Sequence, residues 1–333
     1  MKLNSLNSKE VLFMRKPQPY GGPGSFQRQL EAQFLAEGYN ILHYRKFKFR
    51  KIENIIVFSS SKYIHFLVYQ YLCGSNIILR LDGLNKKHKF KKVNIFYFIY
   101  SELDNFLTYV IAQYIASVII FQSEYIFNEW KMKGFNVQNK KIKVILNGVD
   151  TNQFYPMNKK RYDDKICVVE GSIDDLVAVN ILNNLKIECH VYGKIDKFYR
   201  DKVSNDFVKF FGVFPRDKMA YILNDYKVFL LLEVNPPCPN SLIEAMSCGL
   251  IPVSFKSGSV SEIITCTDTF LIEYDGNPEK YDIPNMENLN TTILKAIKSF
   301  EYSSNDFRNL VLEKMNINNI SMQYLSYLND IFC

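Results

Sequence analysis

The feature that most limits what this chain can fold into is an alternation, run twice, of short apolar β-branched segments with amphipathic helical stretches. That pattern belongs to parallel-sheet α/β domains. Val11 to Met14, Ile55 to Phe58, Ile77 to Leu81, Val118 to Phe121 and Lys143 to Leu146 read as strands of a first sheet. Ile166 to Val169, Glu188 to Tyr192, Lys209 to Phe211, Val228 to Leu232, Ile251 to Phe255 and Thr269 to Ile272 read as strands of a second. A chain of 333 residues exceeds what one hydrophobic core usually organises. The polar stretch MNKKRYDDK, Met157 to Lys165, is the best boundary, giving doubly wound lobes over 1–156 and 157–319 and an amphipathic helix within 320–333. In the first lobe a helix is predicted from Ser25 to Glu37, ended by Gly38, with Phe26, Leu30 and Phe34 as its buried stripe. Ligands of doubly wound folds sit beyond the carboxyl ends of the strands.

Seven cysteines, odd in number and without CxxC spacing, argue against a disulfide framework and predict reduced thiols in a cytosol-like compartment. The N-terminal MKLNSLNSKEVLFM has no apolar run long enough for a signal peptide, which predicts no secretion by that route. The uncharged stretch Asn105 to Ser123 approaches the length of a membrane span. Thr108, Gln113, Ser117 and Gln122 interrupt it and its end is β-branched, so a helix running into an interior strand is the expectation. His43, His65, His88 and His190 show no metal-ligand spacing, so no metal is expected.

The formal charge of +7 is unevenly spread, with 22 Lys+Arg and 10 Asp+Glu in residues 1–150 and 19 and 24 after them. RKFKFRK (Arg45 to Lys51) and KKHKFKK (Lys86 to Lys92) carry much of the excess. Such runs are either solvated loops or patches that attract phosphates, anionic lipid or nucleic acid. No RNA- or DNA-binding motif accompanies the charge, so no nucleic-acid partner is expected.

Two segments carry candidate chemistry. Gly21, Gly22 and Gly24 lie between a strand and a helix, as a bare connector or as a loop that lets backbone approach a ligand. In EVNPPCPNSLIEAMSCGLIPVSFKSGSVSE, Glu233 to Glu262, a buried strand runs through a proline-rich loop into a short helix near Asn240 that ends at Gly249. Ser241 and Glu244 fit a capping box, and equally a helix start that receives a diphosphate while Glu244 accepts from a ribose.

PNSLIEAMSCGLIPVSFKSGSVSEII resembles the donor-binding segment of retaining glycosyltransferases of family 4, the glycosyltransferases group 1. GGPGSFQRQLEAQFLAEGYNI, SEYIFNEW with KVILNGVDTNQFYP, and FFGVFPRDKMAYILNDYKVFLLL resemble the same family, in order along most of the chain. The resemblance implies the GT-B architecture, two Rossmann-like lobes facing a cleft. It implies transfer of a sugar from a nucleoside-diphosphate donor to a hydroxyl acceptor, with retention and without metal or other cofactor. It assigns the backbone of Asn240, Ser241 and Leu242 to the diphosphate, Glu244 to the ribose, and Gly212 and Val213 to the base. Gly22 and Gly24 map onto the loop that meets donor phosphates or acceptor, and Gly171 and Lys194 complete the donor set. The terminal helix is implied to cross back onto the first lobe.

Departures from the family pattern are informative. The family commonly has two glutamates separated by seven residues, and eight positions before Glu244 this chain has Pro236, which leaves Glu233 as the substitute. Relatives carry Arg then Lys after the first strand of the second lobe, where this chain reads VVEGSIDDLVAV. Arg15, Lys16, Lys194 and Lys256 are the replacement cations expected near strand ends. Relatives place a histidine after the fourth strand, where ILRLDGL puts Arg80 and Asp82: a carboxylate for the acceptor hydroxyl and a cation for phosphate, or a buried ion pair, or a turn formed by Asp82 and Gly83. The expected partners are a nucleotide sugar, a glycan or lipid-linked acceptor and an anionic membrane met through the basic lobe, with a cytoplasmic location at a membrane face. A GT-B epimerase and a degenerate sugar-nucleotide binder without turnover are the alternatives.

Overall fold

The computed structural model describes residues 9–18, 22–45, 50–85, 95–138 and 140–329. The chain forms two compact units, Met1–Leu146 with Ile317–Cys333, and Asn147–Asn316.

Unit 1 holds a six-stranded parallel sheet of order β2-β1-β3-β4-β5-β6. Its strands are β1 (Glu10–Phe13), β2 (Asn40–His43), β3 (Asn54–Phe58), β4 (Asn76–Leu81), β5 (Val118–Phe121) and β6 (Lys141–Val144). Its helices are α1 (Gly22–Ala36), α2 (Ile64–Leu72), α3 (Ile95–Val110) and α4 (Glu124–Met132). Alternate residues of the inner strands feed opposite faces, the pattern of a sheet covered on both sides. Leu12, Ile55, Val57 and Leu79 enter one core and Val11, Phe13, Ile56 and Ile78 the other. The second core receives the Phe26, Leu30 and Phe34 stripe of α1. The uncharged stretch is a helix end, a π turn (Ile111–Ile115) and then β5, as expected.

Unit 2 holds a second all-parallel sheet of order β12-β11-β10-β7-β8-β9. Its strands are β7 (Lys165–Ile173), β8 (Glu188–Ile195), β9 (Val208–Gly212), β10 (Val228–Leu230), β11 (Ile251–Phe255) and β12 (Leu271–Ile272). Its helices are α5 (Leu176–Asn183), α6 (Lys197–Arg200), α7 (Arg216–Leu223), α8 (Asn240–Ser247), α9 (Val260–Ile263) and α10 (Leu289–Lys314). Strand direction of travel reverses between β7 and β10, the switch point where ligands of such sheets bind.

The unit boundary falls at Leu146/Asn147, before the polar stretch beginning at Met157, because that stretch is bonded into unit 2. Met157 N donates to Asn224 Oδ1 at 2.8 Å, and Arg161 donates to Asn224, Tyr226 and Cys248. The last helix, α11 (Ile317–Asn329), belongs to unit 1. Ile317, Ile320, Tyr324, Leu325 and Leu328 join the core beneath α1, with the Tyr324 and Phe26 rings 6.0 Å apart. Residues 46–49 and 86–92 of the basic runs, Gly21, and the positions after 329 lie outside the described residues.

Tyr324→Ala should therefore cost unit 1 about 3–5 kcal/mol, the range for deleting a buried aromatic ring. Denaturant unfolding read on the Trp130 fluorescence of unit 1 measures it, and a cost below 1 kcal/mol would show α11 to be peripheral.

Candidate functional site

The site in unit 2 is built at the carboxyl ends of β7 and β10, where the chain reverses its winding. The loop after β10 is clamped from β11's far end. Asn235 N donates to Ser257 Oγ at 3.1 Å, and Ser259 donates through both N and Oγ to Pro236 O at 2.9 Å. Gly258, at φ +55°, has no room for a side chain, since a Cβ would lie 2.5 Å from Asn235 C and Pro236 N. Asn147 of the NGVD turn fixes the other end of the loop, its Nδ2 donating to Cys238 O at 2.9 Å and Asn240 Oδ1 at 2.8 Å.

This clamped loop delivers the start of α8. Its N-cap is Pro239 and no side chain caps it. The expected capping box is not formed, because the cap falls on the proline and not on Ser241. The first-turn N–H groups of a helix have no intrahelical acceptor, and here they keep the dipole's positive end uncovered by a cap. Glu244 is buried one turn further on, with its side chain 5% exposed and ion-paired to Arg216 Nη2 at the start of α7. Burial pushes the Glu244 carboxyl up, and the Arg216 charge and hydrogen bond pull against it. Arg216 lies over the Phe154 ring at 5.5 Å. Phe154 O in turn accepts from Ser247 Oγ at 2.6 Å and Arg308 Nη1 at 2.8 Å, so the TNQFYP segment braces α8. Sequence reasoning missed Arg216 and Asn147, although both stand in quoted segments, FPRDKM and NGVD. Their partners lie 28 and 93 residues away.

At the switch point itself two carboxylates meet. Glu170 Oε1 on β7 accepts from Leu232 N at 3.3 Å. Burial, with the neighbouring Glu233 charge next, pushes the Glu170 carboxyl well above the ordinary range. Tyr281, in a left-handed turn at φ +57°, has its phenol pushed up to about 12 by burial and by Asp175 and Glu233. Asp175 caps α5 through Ala178 N at 2.8 Å. The end of β7 is thus acidic, as VVEGSIDDLVAV reads.

The expected donor residues fall on defined elements. Gly171 lies inside β7, which runs on to Ile173 and bulges between Glu170 and Ser172, and a Cβ there would meet nothing. Lys194 pairs with Ser172 within β8 and is exposed. Gly193 beside it, at φ +145°, is required, since a Cβ would reach 1.9 Å from Glu170 O. Gly212 ends β9 at φ +76°, followed by the exposed Val213. Lys256 donates to two exposed acids of unit 2, Asp268 at 3.1 Å and Glu273 at 2.7 Å.

In unit 1 the helix begins at Gly22, before the expected Ser25, so Gly22 and Gly24 are first-turn residues of α1 and not loop. The missing Cβ of Gly24 is used by the chain itself, for it would lie 2.3 Å from Gln18 O. Arg80 is fully buried, paired to Asp82 Oδ1 and donating to Gln122 at 2.8 Å, with its guanidinium 4.7 Å from the Phe26 ring centroid. Asp82 also accepts from Ser59 Oγ at 2.9 Å. The expected ion pair of Arg80 with Asp82 is thus formed, and the Asp82 side chain keeps 16% of its surface exposed. Arg15, beyond β1, has its pKa lowered by burial, with Asp82 acting against that. Among the described residues no group of three or more His, Cys, Asp or Glu is placed to hold a metal ion, and no helix is long and apolar enough to cross a membrane.

Residues 169–281 match the family model described as Glycosyl transferases group 1. The stretch holds Glu170, Arg216, Glu233 and all of α8. No curated protein matches the chain. Among solved structures it is similar to a sucrose-phosphate synthase from Thermosynechococcus elongatus, with 14% identity over 97% of this chain and 98% of that one and a TM-score of 0.72. It is similar to Anabaena HepE in complex with UDP and glucose, with 13% identity over 97% and 100% and a TM-score of 0.70. A glycosyltransferase from Rickettsia africae ESF-5 gives 14% over 98% and 99%, with a TM-score of 0.71. The fold is that of GT-B glycosyltransferases, two parallel six-stranded sheets with flanking helices.

Removing the cation from the Glu244 pair exposes the cost of burying the carboxylate. Arg216→Ala should lose about 1–3 kcal/mol at neutral pH, and less as the pH falls and Glu244 takes up a proton; chemical unfolding at pH 5 and 8 gives both values. Glu170 has a raised folded pKa, so the folded state holds a proton that the unfolded chain has released, and stability falls as pH climbs from the ordinary Glu value through the folded one. Glu170→Gln keeps the Leu232 bond and should flatten that decline, visible as a variant melting above the parent at pH 8 but not at pH 4.

Proposed function

We propose that the chain is a retaining, metal-independent glycosyltransferase that moves a sugar from a nucleoside diphosphate to a hydroxyl acceptor. The observation that carries the reading is the group 1 match over residues 169–281, with Glu244 buried beside a helix start that no side chain caps. As the bond from the anomeric carbon to the diphosphate oxygen breaks, negative charge gathers on the leaving phosphate and positive charge on the sugar ring. Donors already aimed at the phosphate stabilise that state without reorganising. In this reading the N–H groups of Asn240, Ser241 and Leu242 and the cation of Lys194 serve the diphosphate, and the Gly171 backbone lies along it. Glu244 receives the ribose hydroxyls through the oxygen that Arg216 leaves open, and the backbone of Gly212 and Val213 takes the base. Glu233 faces the sugar, its charge opposed to the developing cation. On unit 1, Asp82 orients the acceptor hydroxyl, Arg80 acts by holding Asp82, and Gly22 and Gly24 form the helix start offered to phosphate or acceptor. No cofactor beyond the donor is required.

UDP in the Anabaena HepE complex makes uridine the first base to test. The basic first half favours a phosphate-bearing, lipid-linked acceptor and contact with an anionic membrane at its cytosolic face, in keeping with six described cysteines that are all free thiols. A second reading, a sugar-nucleotide binder without turnover, is favoured by one observation: the sequence at the end of β7 reads EGSIDD where relatives carry Arg and then Lys.

Calorimetric titration with UDP-, GDP-, ADP- and CMP-sugars should show one of them binding, and Glu244→Gln should weaken it by about 1–3 kcal/mol, roughly tenfold to a hundredfold. Unchanged affinity in a folded Glu244→Gln protein would remove the ribose role. Donor hydrolysis in the same samples separates a transferase from a binder: nucleoside diphosphate released above the buffer rate supports transfer, and binding without release supports the second reading.

A further inference from the structure

The Glu244–Arg216 pair rests on two separate supports. Glu244 stands on α8, and the Arg216 guanidinium lies over the ring of Phe154. One side chain of α10, the half-buried Arg308, reaches both. Its Nη1 donates to Ser247 O at 2.8 Å and Ser247 Oγ at 2.6 Å, at the final residue of α8, and to Phe154 O at 2.8 Å. Its Nη2 donates to Thr151 O at 3.1 Å. Ser247 Oγ completes the arrangement by donating to Phe154 O, and Ser247 and Phe154 are both fully buried.

Charge and shape both suit arginine to this place. The last carbonyls of a helix lack intrahelical donors and carry the negative end of its dipole, so a cation at Ser247 O complements α8 at the end opposite Asn240. A planar fork can also grip two segments at once in a fixed relative position, which a point-charge ammonium does poorly. The two segments gripped here are the helix that carries Glu244 and the turn whose ring carries Arg216. A buried ion pair is sensitive to displacement, because a carboxylate pulled from its partner is left desolvated and uncompensated. The register between α8 and Phe154 therefore sets the geometry of the pair.

We propose that Arg308 is a positioning residue of the nucleotide site: by locking α8 to Phe154 it fixes the place in which Arg216 holds Glu244 for the ribose. This deepens the donor reading given above and rests on it for the ribose, whereas the effect on the ion pair needs no ligand.

Two variants and two measurements test it. Arg308→Lys keeps the charge and loses the fork. Phe154→Leu keeps the carbonyl that Arg308 grips and removes only the ring beneath Arg216. In chemical unfolding, the cost of Arg216→Ala should shrink by about half in either background, the mark of coupled sites; an undiminished cost in Arg308→Lys overturns the proposal. Arg308→Gln replaces the lysine variant if that one does not fold. In calorimetric titration, both variants should bind UDP roughly tenfold more weakly than the parent and 2′,3′-dideoxy-UDP as well as the parent does. Equal losses for the two nucleotides, or no loss for either, overturn the proposal, since a brace that merely stiffened α8 would serve the diphosphate as much as the ribose. A parent that binds no UDP counts against the uridine reading and not against Arg308, whose place the unfolding cycle then decides.

Discussion

Parallel pairing is the constraint from which the rest follows. A strand can pair parallel to its neighbour only if the chain crosses back over a face of the sheet, so each crossover covers a face and returns to the same edge. Both six-stranded sheets are built this way throughout, and both bury side chains on two sides. Every loop that carries chemistry is then gathered at the carboxyl edge. Glu170 and Glu233 are neighbours in unit 2 for that reason, and Arg15, Ser59 and Asp82 in unit 1.

Polar groups at such an edge must be held by something, since a buried carboxylate without a partner is costly. The chain solves this locally. Arg216 holds Glu244, Leu232 N holds Glu170, and Arg80 and Ser59 hold Asp82. The Ser257–Gly258–Ser259 clamp and Asn147 fix the loop between them. A helix start whose cap is proline thus sits on a rigid support, which is what a preorganised phosphate contact requires.

Helix α3 stands apart from this economy of buried polarity. A sheet-covering helix normally turns its apolar stripe inward, as α1 does with Phe26, Leu30 and Phe34. In α3 the inward face is Ser101, Asn105 and Thr108, so the hydrophobic effect that builds the rest of unit 1 is directed away from it.

The sequence by itself determined the two tandem sheets, all their strands but β2, and the group 1 segment, because strand burial leaves β-branched runs and turns leave Gly and Pro. It also determined the acidity of VVEGSIDDLVAV and the stripe of α1. Only the tertiary structure decided which charges meet. Arg216 and Glu244 sit on separate helices, Lys256 finds Asp268 and Glu273, and Asn147 reaches Asn240, none of which periodicity encodes. Helix starts also differ from the local pattern: Gly24 lies inside α1, against the Gln18 backbone, and Pro239 rather than Ser241 caps α8. Local pattern reports how a residue is buried, whereas pairing at long range depends on where the sheet order brings two loops together.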